Sequence, residues 1–274
     1  MKRAICVAIV LAAAHAQAAS ELGKPIWEAK GLRTPESVLV HELDGRKVLL
    51  VSEIEGDATK ADGAGGIALL SLDGKILDQD FIRGLNAPKG MAAHENTLYV
   101  SDIDTLVVVD LSTRKITARH KIEGAEFLND VETDAMGRVY VSDSRTGKIH
   151  RLADGRIDTY LEGIEGPNGL YASGNSLYIG AGKKLLRVTN GKVTEVATGF
   201  DADIDGVEEL ADGGFIVSCW AGRVYHVGED GTVTSLFRSE DPESLNTADI
   251  GYDRETNTLY IPTFFGNSVR AYGL

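Results

Sequence analysis

From residue 26 to the C-terminus the chain is written in short apolar runs separated by turn residues, and no segment keeps a helical period. The clearest copy runs from Phe127 to Ser144: a strand, a tight turn around Gly137, a second strand over Arg138 to Ser142, and an acid at Asp143. The second strand closes on a hydrophobic-small pair that recurs as Val51-Ser52, Val100-Ser101, Val141-Ser142, Ile179-Gly180, Val217-Ser218 and Ile261-Pro262. The intervals of 49, 41, 38, 38 and 44 residues are those of propeller blades. Each copy continues into a third strand, and Asp73-Gly74, Asp154-Gly155, Asn190-Gly191 and Asp230-Gly231 follow as turns. Such pairs accept the positive φ of two-residue hairpin turns. The pattern predicts an all-β fold, a six-bladed β-propeller of four-stranded units.

Closure of the ring is also written in the pattern. Fourth strands share a phrase in Phe81-Ile-Arg-Gly84, Lys121-Ile-Glu-Gly124, Tyr160-Leu-Glu-Gly163 and Glu195-Val-Ala-Thr-Gly199, but the sixth copy ends at Leu274 after its third strand. Trp27-Glu-Ala-Lys-Gly31 repeats the phrase near the other end of the chain. Ile26 to Lys30 is therefore expected to supply the outer strand of the C-terminal blade, covering an edge that would otherwise invite aggregation.

Composition narrows the setting. Residues 1–18 read as a signal peptide: Lys2 and Arg3, an apolar run from Ile5 to Ala14, and Ala16-Gln17-Ala18 as cleavage site. That run is shorter than the roughly 20 residues a membrane span needs. Residues 19–274 are then a single exported domain, periplasmic or secreted, with no membrane insertion. Loss of Lys2 and Arg3 takes the formal charge from -13 to -15, which disfavours nucleic acid as a partner. Cys6 leaves with the signal and Cys219 stays as a lone, buried small hydrophobe, so the fold relies on its core rather than on disulfides.

Six positions open the first strands and should face the central channel: Glu36, Lys89, Asn129, Asn168, Asp205 and Asp249, with Ala248 as the alternative to the last. Five carry side-chain oxygens, and a six-fold fold brings them to one axis although they lie far apart in sequence. Asn-Gly and Asp-Gly at a strand start are ordinary turn formers, so each alone says little. Together they form a hard oxygen set suited to a divalent cation, Ca²⁺ first, with Mg²⁺, Mn²⁺ or Zn²⁺ as alternatives. Glu53, Asp102 and Asp143, at the ends of second strands, either line the pocket or cap loop backbones. Phe264, Phe265 and Trp220 either wall the pocket or pack between blades. His41, His94, His120, His150 and His226 lack a partner suggesting a nucleophilic triad.

Pro35-Glu36, Phe127-Leu-Asn-Asp130, Pro167-Asn-Gly-Leu170 and Ile204-Asp-Gly206, in this order on six repeats, resemble the SMP-30/gluconolactonase/LRE-like family. The resemblance covers essentially the whole chain after residue 18. It implies one divalent metal held by Glu36, Asn129, Asn168 and Asp205, with Asp205 also as general base and Asp130 orienting substrate. The substrate-binding arginine of the family's sugar lactonases has no evident counterpart here, and Lys89 is the nearest candidate. The expected activity is hydrolysis of a small lactone or related ester, with Asp205 and Lys89 catalytic and Asp130, Asp249 and Asp143 contacting substrate. A non-enzymatic ligand- or protein-binding scaffold and a calcium-dependent phosphotriester-type hydrolase remain as alternatives.

Overall fold

The computed structural model describes residues 21–211, 213–241 and 245–274; the segment read as a signal lies outside them. Six four-stranded antiparallel sheets follow one another around a ring, so the protein is a six-bladed β-propeller. The inner strands are Pro35–Leu43, Pro88–His94, Leu128–Thr133, Pro167–Ser173, Ile204–Glu209 and Gly251–Asp253. Beyond strands, the described residues form one 3₁₀ turn, Phe264–Gly266, and no helix long and apolar enough to cross a membrane.

The core is divided among the clefts between blades. One cluster joins blades one and two through Leu50, Ile82, Leu98 and Val100. Another joins blades four and five through Leu185, Phe200, Ile204 and Val217, and Cys219 lies fully buried in it. Equivalent clusters fill the remaining clefts, so each blade depends on both neighbours.

The strand Trp27–Lys30 pairs antiparallel with Ser268–Gly273, Trp27 opposite Ala271 and Lys30 opposite Ser268. Its bonding extends one residue further, Ile26 N–H donating to Ala271 O at 2.7 Å. The Trp27 ring lies 5.8 Å from that of Tyr260, and its Nε1 donates to Leu72 O of blade one at 3.0 Å. The expected closing strand is present, and its tryptophan ties the last blade to the first.

The hairpin turns differ in detail from the expectation. Asp154-Gly155 and Asn190-Gly191 have positive φ at both residues, as a type I′ turn requires, and so does Asp44-Gly45. At Asp73-Gly74 and Asp230-Gly231 only the glycine is positive. In those turns the carboxylate binds locally instead: Asp230 Oδ1 accepts from Thr232 N–H at 2.9 Å.

One irregularity repeats and positions everything that follows. The pairing of inner and second strands slips between Pro35 and Val38, Pro88 and Met91, Leu128 and Val131, Pro167 and Leu170, and Ile204 and Val207. Each slip is a β-bulge that frees two residues from the ladder. The second of the two recovers a partner from the small residue of the recurring pair: Ser37, Asp130 and Gly206 N–H donate to the hydroxyls of Ser52, Ser142 and Ser218 at 2.8–2.9 Å. The serine thus replaces the missing ladder bond and fixes the bulge. Where this second residue is Gly90, Gly169 or Gly206, the next blade's backbone comes so close that an added Cβ would sit 2.4–2.8 Å from its atoms.

Removal of residues 19–31 strips the outer strand and the Trp27 contacts, and is expected to abolish cooperative melting. Trp27→Ala in the full chain should cost about 3 kcal/mol, the low end for a tryptophan because the ring is only half-buried. Thermal melts that leave either protein at the wild-type midpoint would contradict this closure.

Candidate functional site

The first bulged residue of each inner strand points into the mouth of the channel. Glu36, Lys89, Asn129, Asn168 and Asp205 all line one cavity of about 730 Å³, together with Ile54, Phe127, Trp220, Phe264 and Phe265. In the sixth blade Ala248 occupies this position, because its N–H pairs with Pro262 O and Asp249 stands level with Ser37. Asp249, preferred from sequence for the sixth position, therefore belongs one layer deeper. Three glycines, Ser37, Asp130 and Asp249 make up that deeper layer.

The four oxygen-bearing residues of the mouth are arranged as acceptors. Asn168 Nδ2 donates to Asp205 Oδ1 at 2.8 Å and Asn129 Nδ2 to Ser144 Oγ at 3.2 Å, which spends one donor of each amide and orients it. Asn168 Oδ1 and Glu36 Oε2 are buried with no hydrogen-bond partner among the described residues. Two orphaned, desolvated oxygens at one pocket are costly unless something positive meets them. Two carboxylates and two carboxamides fit a hard divalent cation. Among the described residues no three Asp, Glu, His or Cys side chains form a ligand cluster, so a cation here would need amide oxygens besides the carboxylates.

Lys89 is nearly inaccessible, and its Nζ donates to Ala58 O and Ala87 O, both at 3.1 Å, and stands 4.5 Å from the Phe127 ring centroid. It pins the loop after blade one's second strand to the pocket wall. Burial pulls its pKa down, while the charge of Glu36 works the other way. Two of its three donors are already spent, which leaves little for the catalytic and substrate-binding role expected from the sequence.

The remaining expected contacts lie outside the main cavity. Asp130 accepts from Val131 N–H at 2.7 Å and Leu170 N–H at 2.6 Å, tying blade three to blade four below the mouth. Asp249 accepts from Ser37 Oγ at 2.5 Å, stitching blade six to blade one. Asp143 is fully buried and accepts from Glu126 and Phe127 N–H at 3.0 and 3.1 Å, so it holds the approach to Asn129 instead of touching ligand. Asp102 holds Asn86 and Ala87 N–H in the same way, and Glu53 holds Arg33 N–H. His150, buried with its Nε2 3.9 Å from Asp143, belongs to this supporting shell.

Below the mouth the channel narrows to a second space of about 100 Å³ bordered by Asp130, Glu132, Glu208 and Asp249. Burial raises every carboxylate along this axis, and the charge of Asp249 adds to each of the others. Asp205 and Glu132 are pushed up to about 8 and Asp249 to about 7; burial likewise lifts Glu36 well above its usual range. The channel therefore holds protons that an unfolded chain would release near pH 4.

A raised folded-state pKa means stability is lost as pH climbs from that range toward 8. In EDTA, the wild-type protein should thus be less stable at pH 8 than Asp249→Asn, which keeps the Ser37 bond and removes the shared charge. Relief of one pKa unit at one neighbour is about 1.4 kcal/mol, worth roughly 2–4 °C in Tm per kcal/mol at this size. The gap should shrink at pH 5.5. Melts in which Asp249→Asn gains nothing at pH 8, or gains equally at both pH values, would refute the electrostatic reading.

No protein-family model matches this chain, and no curated protein matches its sequence. Solved structures do match its fold. A gluconolactonase from Xanthomonas campestris superposes with a TM-score of 0.68 at 16% identity, covering 95% of this chain and 93% of that one. Regucalcin from Agrobacterium tumefaciens, described as a calcium-binding protein, gives 0.68 at 16%, covering 93% and 95%. An inactive His→Ala form of virginiamycin B lyase from Staphylococcus aureus, solved with quinupristin, gives 0.60 at 14%, covering 90% and 99%. At these identities the likeness is one of fold: the chain is a six-bladed propeller built like gluconolactonase and regucalcin.

Proposed function

We propose that this protein is a divalent-cation-dependent hydrolase of a small lactone or related ester, with Ca²⁺ the favoured ion. The observation that carries the reading is the pair of partnerless oxygens, Glu36 Oε2 and Asn168 Oδ1, on a cavity large enough for a small molecule. Glu36, Asn129, Asn168 and Asp205 would hold the cation through oxygen. When bound, it supplies Lewis-acid polarisation of the scissile carbonyl.

The chain's own groups supply the rest. Asp205 accepts the proton of the attacking water, oriented by the Asn168 amide at 2.8 Å. A carboxylate beside a cation is normally too weak a base, since the positive charge lowers its pKa. Asp205 starts from about 8 because it is buried and faces Asp249, so that lowering brings it toward neutrality instead of away from it. The deep acidic layer thereby tunes the base above it. Lys89, held on two carbonyls, keeps the loop wall closed and contributes positive charge to the site.

Fold neighbours of other chemistry are less well supported here. The virginiamycin B lyase neighbour is inactive when one histidine becomes alanine. Among the described residues no histidine lines the cavity. Regucalcin's description as calcium-binding favours the cation assignment without deciding the reaction.

A lactone panel and an organophosphate, assayed with and without EDTA, test the proposal. Lactone turnover should vanish in EDTA and return with Ca²⁺. Asp205→Asn should lower kcat by about 10²–10⁴-fold, the usual contribution of a general base. Asn168→Ala should weaken Ca²⁺ binding at least about 10-fold by calorimetry. Activity that survives Asp205→Asn would remove the base, and Ca²⁺ binding without turnover on any substrate would favour a scaffold.

A further inference from the structure

Part of the cavity wall is aromatic. Trp220 lies 4.7 Å from Phe264 at 75°, and Phe264 lies 4.8 Å from Phe265 at 87°, an edge-to-face group drawn from blades five and six. Phe127, from blade three across the ring, lines the same cavity, and Ile54 closes it from blade one. Lys89 and the Arg145 guanidinium both lie over the Phe127 ring, at 4.5 and 4.8 Å from its centroid, and so fix it in place.

Two features mark this wall as built for a ligand. Phe264 adopts φ of +43°, a left-handed backbone that a bulky side chain avoids, and Phe264 and its neighbours in the 3₁₀ turn place two rings at the mouth. Trp220 remains 38% exposed and Phe265 57% exposed, although buried apolar surface is the main source of stability elsewhere in the fold. Exposed rings gathered at one cavity mark a binding surface.

Polar groups able to serve a sugar are scarce in this region. Each amide nitrogen spends one of its two N–H donors within the protein, Lys89 spends two of its three on carbonyls, and Asp57 accepts from its own loop at Thr59 N–H and Oγ1. The hydroxyls of a polyol would lie against ring faces and lose hydrogen bonds to water without replacement.

We infer that the site selects lactones or esters carrying an apolar ring or chain over polyhydroxylated sugar lactones, with the apolar group held between Phe127 and the Trp220–Phe264–Phe265 wall. The inference rests on the hydrolase reading for its chemistry but on the wall alone for its binding. Trp220 and Phe265 are the residues that determine this specificity.

Three six-membered lactones isolate the effect: δ-valerolactone, a phenyl-substituted δ-valerolactone and glucono-δ-lactone, each tested by hydrolysis and by quenching of Trp220 fluorescence. Trp220→Ala serves as the blank for Trp27, the other tryptophan of the chain. The phenyl lactone should exceed both others in kcat/KM by at least about 10-fold. Trp220→Ala should remove most of that advantage, with a fall in kcat/KM at least about 3-fold larger on the phenyl lactone than on δ-valerolactone, the mark of losing a selective contact. Phe265→Ala, at a more exposed position, should act in the same direction and covers the case in which Trp220→Ala fails to fold. A preference for glucono-δ-lactone, or an equal loss on all three substrates, would overturn the inference. If no lactone is hydrolysed but the phenyl compound alone quenches saturably, the hydrolase reading falls and the apolar site stands. If there is neither hydrolysis nor quenching, both fall.

Discussion

Everything at the centre of this propeller depends on a two-residue bulge repeated at the start of the inner strands. A regular strand would turn alternate side chains into the inter-blade clefts, where the core lies. The bulge instead frees one residue to face the channel mouth and drops the next into a deeper layer. A serine hydroxyl on the neighbouring strand takes the orphaned N–H in blades one, three and five. Acids at the ends of second strands, Glu53, Asp102 and Asp143, then hold the incoming loops by their backbone N–H groups. Site geometry is thus imposed by backbone hydrogen bonding, with the side chains at the mouth free to vary.

The two layers so formed are electrostatically linked. The upper layer sets Glu36 and Asp205 among carboxamides and Lys89; the lower one places Asp130 and Asp249 directly beneath. Asp249 and Asp130 bond across blade boundaries, which explains why buried acids persist there despite their mutual repulsion. Burial raises Asp205 and Glu36, and the charge of Asp249 adds to both, so a structural residue outside the cavity adjusts the electrostatics inside it.

Much of this was legible in the sequence because it is periodic. The Val-Ser pairs located the blades, the N-terminal phrase located the closing strand, and five of six channel positions followed from Pro-x or x-Asn/Asp motifs. The sixth slipped by one residue, since in Thr247-Ala248-Asp249 the acid stands one place after the channel position and the regular strand begins only at Gly251. Asp143 was expected to contact substrate because its role, accepting loop N–H groups, leaves no trace in side-chain pattern. The strand-end acids were readable as a choice between pocket and cap, and hydrogen bonding decides for the cap. Phe264 turns out to serve both expected roles, packing with Ile54 and Ala87 while lining the cavity. Trp220, Phe264 and Phe265 were readable as a choice between pocket wall and inter-blade packing, but Phe127, which lines the same cavity from blade three, was not.

The central claim is that the bulges aim four oxygen donors at one point. A crystal structure grown with saturating Ca²⁺, with the ion identified by its anomalous signal, tests it most directly. The account predicts a single site in the channel mouth with oxygens of Glu36, Asn129, Asn168 and Asp205 at roughly 2.3–2.6 Å. A cation bound elsewhere, or a mouth in which these four oxygens remain uncoordinated, would contradict it.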